Sequence, residues 1–309
     1  MRKLTLNEVY DEFIAEKIAK GLMPETLAHY GRAYNLLDAY MRENRLKYFT
    51  RLTATDWRGY MCWLNDGRRK TVSINTYLRG TRTIVLFSKS KYSAPDFVPK
   101  FMRDTKTFKQ VYSDAQLATL TKEPAVYSYT ETRGWALTCL LLYSSPREKS
   151  IINIRIGDID FNAGELSIRH LKNRDVIILP LVEEIQAVLK KYLAVREARL
   201  QALGVRDNGY LFFNRAGGKM TRFQLYDAHR EYNRKRGVDK KGVHIFRNTF
   251  AKLMIRAGCD AFTLQRWMCH DDLRSTKRYI DLFSQDLAHT VRKYNPLLQI
   301  SAGTGNTAK

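Results

Sequence analysis

No stretch of the chain strings together the roughly 18 unbroken apolar residues that a membrane-spanning helix requires, so no membrane partner is expected. The opening run MRKLTLNEVYDEF lacks the apolar core of a secretory leader, and a cytoplasmic protein is expected. Cysteine is scarce. Cys62, Cys139, Cys259 and Cys269 stand far apart with no C-x-x-C spacing, which disfavours a zinc site and a disulfide framework and leaves them as small core residues. Acid is also short: 31 aspartates and glutamates face 53 lysines and arginines, a formal net charge of +22. With 44% hydrophobic and 12% aromatic residues, this is a folded polycation and not a disordered basic tail. Its expected partner is a polyanion, with DNA or RNA the first to consider. A chain of 309 residues is long enough for two domains with cores of their own.

Residues 1 to about 92 read as helices alone. Val9, Phe13, Ile14 and Ile18 form one apolar stripe; Pro24 opens a second helix carrying Leu27, Tyr30, Tyr34, Leu37 and Met41. Thr53 or Thr55 caps a third helix with Trp57, Tyr60 and Leu64 inward, and Ser73 precedes a fourth built on Tyr77, Leu78, Ile84 and Phe87. Four amphipathic helices with short connections predict a small bundle. Its bases Arg68, Arg69, Lys70, Arg79, Arg82, Lys89 and Lys91 could each meet a phosphate or simply be a solvated face. From Ser93 to Val111 two prolines, several lysines and no sustained period predict a linker, residues 93–111.

Residues 112–296 read as a second domain. Trp135 to Tyr143 is a continuous apolar helix stopped by Ser144, Ser145 and Pro146, which sets Arg147 at a turn before Ile151, Ile152 and Ile154. Such an arginine can pair with a local carboxylate, Glu148 or Asp158. Leu166 and Ile168, and likewise Val176 and Ile178, read as apolar positions alternating with polar ones, which would set them on an inward face, and the intervening HLKNRD reads as a turn, so a β-hairpin with Lys172 at its tip is expected. A long helix from Val182 to Leu203 follows, then a short buried strand with a glycine turn, YLFFNRAGGKM. The next helix ends in the basic run Arg234, Lys235 and Arg236, a plausible contact for a DNA backbone. The fold class is therefore mainly α with a small antiparallel β-sheet.

The richest stretch is HIFRNTFAKLMIRAGCDAFTLQRWMCHDDLRSTKRY. His244 and Arg247 lie three apart where Phe250, Leu253, Met254 and Ala257 recur at helical spacing, so both heads share one helix surface. Asp260 caps a shorter helix carrying Leu264, Trp267 and Met268; His270 follows its end, and Tyr279 comes nine residues later. An arginine fork can fix a phosphate, a histidine can share a proton near neutral pH, and a tyrosine can attack phosphorus. Taken singly, such a pair is usually a solvated helix face, and a histidine near a helix end is usually a cap or a packing residue.

In this order and spacing, the run resembles the carboxy-terminal signature of the tyrosine recombinase, or phage integrase, family. The resemblance extends from about residue 5 to residue 290. It implies a core-binding helical domain and a catalytic domain closing on double-stranded DNA as a clamp, with no arm-binding domain before them. It further implies a phosphoryl transfer with no metal, nucleotide or other cofactor. Arg147 and Arg247 would bind the scissile phosphate, Lys172 would protonate the leaving 5′ oxygen, His244 and His270 would handle the tyrosine proton and the phosphate, and Tyr279 would be the nucleophile. A helix with Leu282, Phe283, Leu287 and Val291 would dock on a neighbouring protomer or on its own domain, and residues 297–309 would be a disordered tail. The resemblance also implies protomers that are single or weakly associated when free and tetrameric on DNA, with accessory proteins as possible partners, and integration or excision of a mobile element or phage as the role. Two positions depart from the family: Ser150 stands where an acid is usual, and Cys269 where glycine precedes the second histidine. They keep open a non-catalytic DNA binder, while a type IB topoisomerase is the alternative enzyme.

Overall fold

The computed structural model describes residues 2–103, 110–169, 176–240, 242–268, 276–277 and 279. Lys172, Cys269, His270 and the expected terminal helix and tail lie outside the described residues. The chain divides into two compact units, Met1–Thr107 and Phe108–Lys309.

The first unit is helical. Helix α1 (Leu6–Ala19) starts at a capping box in which Thr5 and Glu8 satisfy each other's backbone N–H, and α2 (Pro24–Glu43) starts on proline, whose missing N–H costs nothing in the first turn. Helix α3 (Ala54–Leu64) repeats the box with Thr53 and Asp56, and α4 (Thr71–Tyr92) completes the bundle. Val9, Phe13, Leu37, Phe49, Tyr60, Ile74, Leu78 and Ile84 form its core. Ile18, the last residue of the stripe expected on α1, is instead 58% exposed, because the helix runs past the edge of the bundle before it ends. Residues 94–102, within the stretch read as linker, pack on this unit: Phe97 is buried, Trp57 Nε1 donates to the Lys100 carbonyl at 2.9 Å, and Asn75 exchanges two 2.9 Å hydrogen bonds with the Met102 backbone.

The second unit joins helices to one small sheet. Its elements are α5 (Asp114–Thr121), α6 (Tyr129–Ser144), α7 (Glu148–Ile151), β1 (Ile159–Asp160), β2 (Glu165–Arg169), β3 (Val176–Pro180), α8 (Glu183–Leu203), α9 (Arg222–Lys235), α10 (His244–Arg256) and α11 (Ala261–Trp267). The sheet is antiparallel in the order β1-β2-β3. Leu166 pairs with Leu179 and Ile168 with Ile177, so those four side chains share the core face. Val176 and Ile178 therefore point outward, at 54% and 58% exposure, a correction to the inward face expected for them. Helix α6 is the central post, buried along Trp135, Leu137, Leu140 and Leu141 and packed on α8, α9 and α10. Gly134 is what lets α9 come so close, since a Cβ there would run into the Tyr232 ring. Arg196 is buried on α8 and forks onto Asp207 at 2.8 and 2.7 Å while holding the Tyr210 carbonyl, fixing the loop before the buried Leu211, Phe212 and Phe213. Among the described residues, no helix is long and apolar enough to cross a membrane.

Candidate active site

Two helix ends and one buried arginine make the centre of the site. Helix α6 cannot continue into Pro146, and Ser145 closes it in the left-handed conformation (φ 47°, ψ 42°). That turn delivers Arg147, which serves as the N-cap residue of α7, with its carbonyl accepting the Ser150 N–H at 2.8 Å. From the other side comes α10. His244 is its first residue and is exposed, while Arg247, one turn on, is only 5% exposed. Arg247 Nη1 donates to the Ser145 carbonyl at 2.6 Å and Nη2 donates to the Met268 carbonyl at the end of α11. One guanidinium thus satisfies two helix C-termini, groups that carry partial negative charge and have no intrahelical donor. The Arg147 turn and the end of α11, just before His270, are held together by it.

Tyr279 packs in an apolar cluster with Phe250, Ala251, Leu264 and Met268 and is 3% exposed. Its hydroxyl donates to Asn248 Oδ1 at 3.3 Å, and Asn248 Nδ2 donates to the Gln110 carbonyl at 3.1 Å. Arg247 and Asn248 are neighbours on α10, so the tyrosine hydroxyl and the arginine are anchored to consecutive residues of one helix. The structure therefore brings Arg147, Arg247 and Tyr279 to one place and sets His244 at its rim.

The two carboxylates near Arg147 in the sequence each hold other groups. Glu148 accepts Arg222 Nε and Nη2 at 2.9 and 2.7 Å, and Asp158 accepts the Arg155 backbone N–H at 2.8 Å and Arg169 Nε at 3.3 Å. Ser150, buried beside this turn, leaves Glu148 as the acid of α7, and Arg222, donating Nε and Nη2 to one oxygen of Glu148, ties α7 to the first turn of α9.

The basic residues proposed as DNA contacts are placed unevenly. Arg69 pairs with Asp66 at 2.8 Å, Lys89 with Asp96 at 2.9 Å, and Lys91 with Glu12. Arg79 and Arg82 lie over the Phe101 ring at 5.9 and 5.1 Å. Arg234 is paired with Glu231, while Lys235 and Arg236 share Glu131. Burial opposes ionisation of Glu131, but the two cations outweigh it and hold its carboxyl below the usual range. Arg68 and Lys70 sit in the exposed connection before α4 and at its N-cap.

Sequence reading did not single out Asn248 or Arg222. A neutral amide beside a signature arginine carries no signal of its own, and Arg222 meets Glu148 across 74 residues of chain.

Residues 111–286 match the family described as the phage integrase family. The chain is similar to the tyrosine recombinase XerD of Staphylococcus haemolyticus, 23% identical over 298 residues, covering 94% of this chain and 99% of that one. Its fold is similar to that of the Tn1549 transposon integrase in complex with transposon right end DNA, with a TM-score of 0.73, 16% identity, and 94% and 99% of the two chains covered. A lambda integrase tetramer bound to a Holliday junction is similar as well, with a TM-score of 0.69, 11% identity, and 92% and 79% covered.

Proposed function

The chain belongs to the phage integrase family of site-specific tyrosine recombinases, and from that premise we propose that Tyr279 cleaves and rejoins DNA through a covalent 3′-phosphotyrosyl bond. The observation that carries the assignment is the double anchorage on α10: Arg247 grips the Arg147 turn while its neighbour Asn248 holds the Tyr279 hydroxyl.

The chemistry follows from these groups. Tyr279 Oη forms a bond to the scissile phosphorus as the bond to the 5′ oxygen breaks. Charge gathers on the non-bridging oxygens, where the guanidinium groups of Arg147 and Arg247 stabilise it. His244, exposed at the start of α10, takes or positions the phenolic proton, and His270 donates to the phosphate. Lys172 supplies the proton for the departing 5′ hydroxyl. The phosphotyrosyl bond keeps the energy of the phosphodiester, so a 5′ hydroxyl from a second strand reverses the step. Two such exchanges among four protomers, through a Holliday junction, complete recombination on DNA in the cell. Integration or excision of a mobile element is the role we assign.

The test is covalent trapping. Nicked suicide duplexes, drawn from a randomised pool and enriched for binding, are incubated with the protein and resolved on a denaturing gel. A slow protein-DNA adduct that is absent with Tyr279→Phe and strongly reduced with Arg147→Ala is the expected result. No adduct on DNA that the protein binds specifically would sink the enzymatic reading.

A further inference from the structure

An asparagine amide has one accepting end and one donating end, and whatever holds one end decides what the other presents. At Asn248 the held end is Nδ2, which donates to the Gln110 carbonyl at 3.1 Å. A carbonyl can only accept, so the amide cannot turn over while Gln110 stays in place. Oδ1 is therefore the end that meets the Tyr279 hydroxyl, and the phenolic proton is directed to it at 3.3 Å.

Gln110 opens a short strap, residues 110–112, that is fastened to the second unit at every residue. The Val111 carbonyl accepts from Lys240 Nζ, and the same ammonium donates to Gln116 Oε1 at 2.8 Å. The Tyr112 N–H donates to Thr249 Oγ1 at 2.9 Å, while the Thr249 hydroxyl spends its own proton on the Ile245 carbonyl at 2.8 Å. The Tyr112 hydroxyl accepts from Asn233 Nδ2 at 2.9 Å, and its ring centre lies 4.4 Å from that of Phe246. Phe246, Asn248 and Thr249 of α10 thus hold the strap, while Arg247 between them grips the Ser145 and Met268 carbonyls. Packing accounts for Tyr112, which is 2% exposed. It does not account for Gln110, an exposed residue whose carbonyl could as well be left to water. The bond that the fold does not require is the one that sets the Asn248 amide.

We propose that residues 110–112 are a latch on the nucleophile: Thr249 and Lys240 hold the strap, the Gln110 carbonyl fixes the Asn248 amide, and the amide keeps the phenol from attack. Thr249 and Lys240 are positioning residues that act through Asn248. With the strap docked, the hydroxyl must break from an amide that cannot turn. With the strap loosened, the amide rotates and gives the hydroxyl up. The latch sits where the chain enters the second unit, which begins at Phe108. It rests on the reading above that Tyr279 is the nucleophile.

The test follows the rate of adduct formation by the full chain at saturating suicide duplex, with DNA affinity measured separately by fluorescence anisotropy. Thr249→Val removes the acceptor of the Tyr112 N–H at nearly constant shape. Lys240→Met removes the donor to Val111 from the other side of the strap and covers the case in which the buried valine does not fold. Each should raise the rate about fivefold with affinity unchanged, the equivalent of one hydrogen bond. Thr249→Ser keeps the hydroxyl and should return the wild-type rate. The Asn248→Ala background is decisive: a strap that acts through the amide gives no further gain there, whereas a general loosening of the domain adds to it. Rates unchanged or lowered in both the valine and the methionine variants, or a gain that persists in full without Asn248, overturn the latch. With a wild-type adduct present, those outcomes defeat the latch alone. No adduct from wild type on DNA that it binds defeats the recombinase reading, and the latch with it.

Discussion

The Tyr279 hydroxyl rests 3.3 Å from Asn248 Oδ1, and the same amide holds the main chain of Gln110 at 3.1 Å. An amide oxygen accepts a hydrogen bond but cannot take the proton, so Asn248 holds the phenol without itself activating it. Attack on a phosphate gripped by Arg147 and Arg247 requires the hydroxyl to leave Asn248. Asn248→Ala is therefore expected to raise the rate of phosphotyrosyl adduct formation severalfold with DNA affinity unchanged, at a stability cost of about 1–2 kcal/mol for the lost buried bonds. A slower rate at unchanged DNA affinity would mean that the amide belongs to the reacting geometry instead.

Arg247 makes its bonds in the interior, and its loss should be felt twice. Arg247→Ala leaves the Ser145 and Met268 carbonyls without their donor and is expected to cost about 2–4 kcal/mol, read as a lower urea midpoint with unchanged slope. Arg247→Lys cannot span both carbonyls with one ammonium, so it should recover less than half of that stability and almost none of the adduct. Full recovery by lysine would show that charge alone, and not the fork, is what the site uses.

The helical period placed α10 and α11 and set His244 and Arg247 on one helix surface, and the ordered run from His244 to Tyr279 pointed to the chemistry; that Arg247 is buried while His244 is exposed came only with the packing. Periodicity stops short where a run is apolar throughout: VIIL in β3 fits either face, and only its pairing with Leu166 and Ile168 turns Val176 and Ile178 outward. It also does not say where a bundle ends, which is why Ile18 reads as core and lies exposed. Charge counting has the same limit. Lys89 and Lys91 look available in the sequence, yet Asp96 and Glu12 already hold them, and such pairings arise from tertiary proximity alone. Asn248 and Arg222 act through contacts that no local pattern encodes.

Arg222 and Glu148 are partly exposed, with side chains at 59% and 31%, so their pairing should add little to stability, below about 1 kcal/mol. Its effect is expected on the chemistry, because the two hydrogen bonds to Glu148 Oε2 steady α7, and α7 begins beside Arg147. Arg222→Ala should slow adduct formation about tenfold, roughly the loss of 1.4 kcal/mol of transition-state stabilisation, with a melting temperature near wild type. The exchange of Arg222→Glu with Glu148→Arg should restore much of the rate. Equal rates in wild type and Arg222→Ala would leave the pair a surface feature only.

His229 lies fully buried on α9 against Phe246, ring centres 5.1 Å apart at a near-perpendicular 84°, and neither of its ring nitrogens has a partner among the described residues. Burial pushes its pKa from the ordinary 6.5 down to about 4, because the imidazolium would have nothing to replace its water. The sign follows from linkage. Above 6.5 both the folded and the unfolded chain hold the neutral ring, and stability is at its full value. As pH falls below 6.5 the unfolded chain takes up a proton that the folded chain refuses until about 4, so stability is lost across that window. By pH 5 the loss should reach about 2 kcal/mol, since each pH step below 6.5 within that window removes roughly 1.4 kcal/mol. His229→Leu fills a similar space without titrating, so its urea midpoint should fall less between pH 7 and pH 5 than that of wild type. Parallel declines in the two proteins would mean that the ring finds a proton-sharing partner in solution, and that its burial is not what sets the acid limit of this domain.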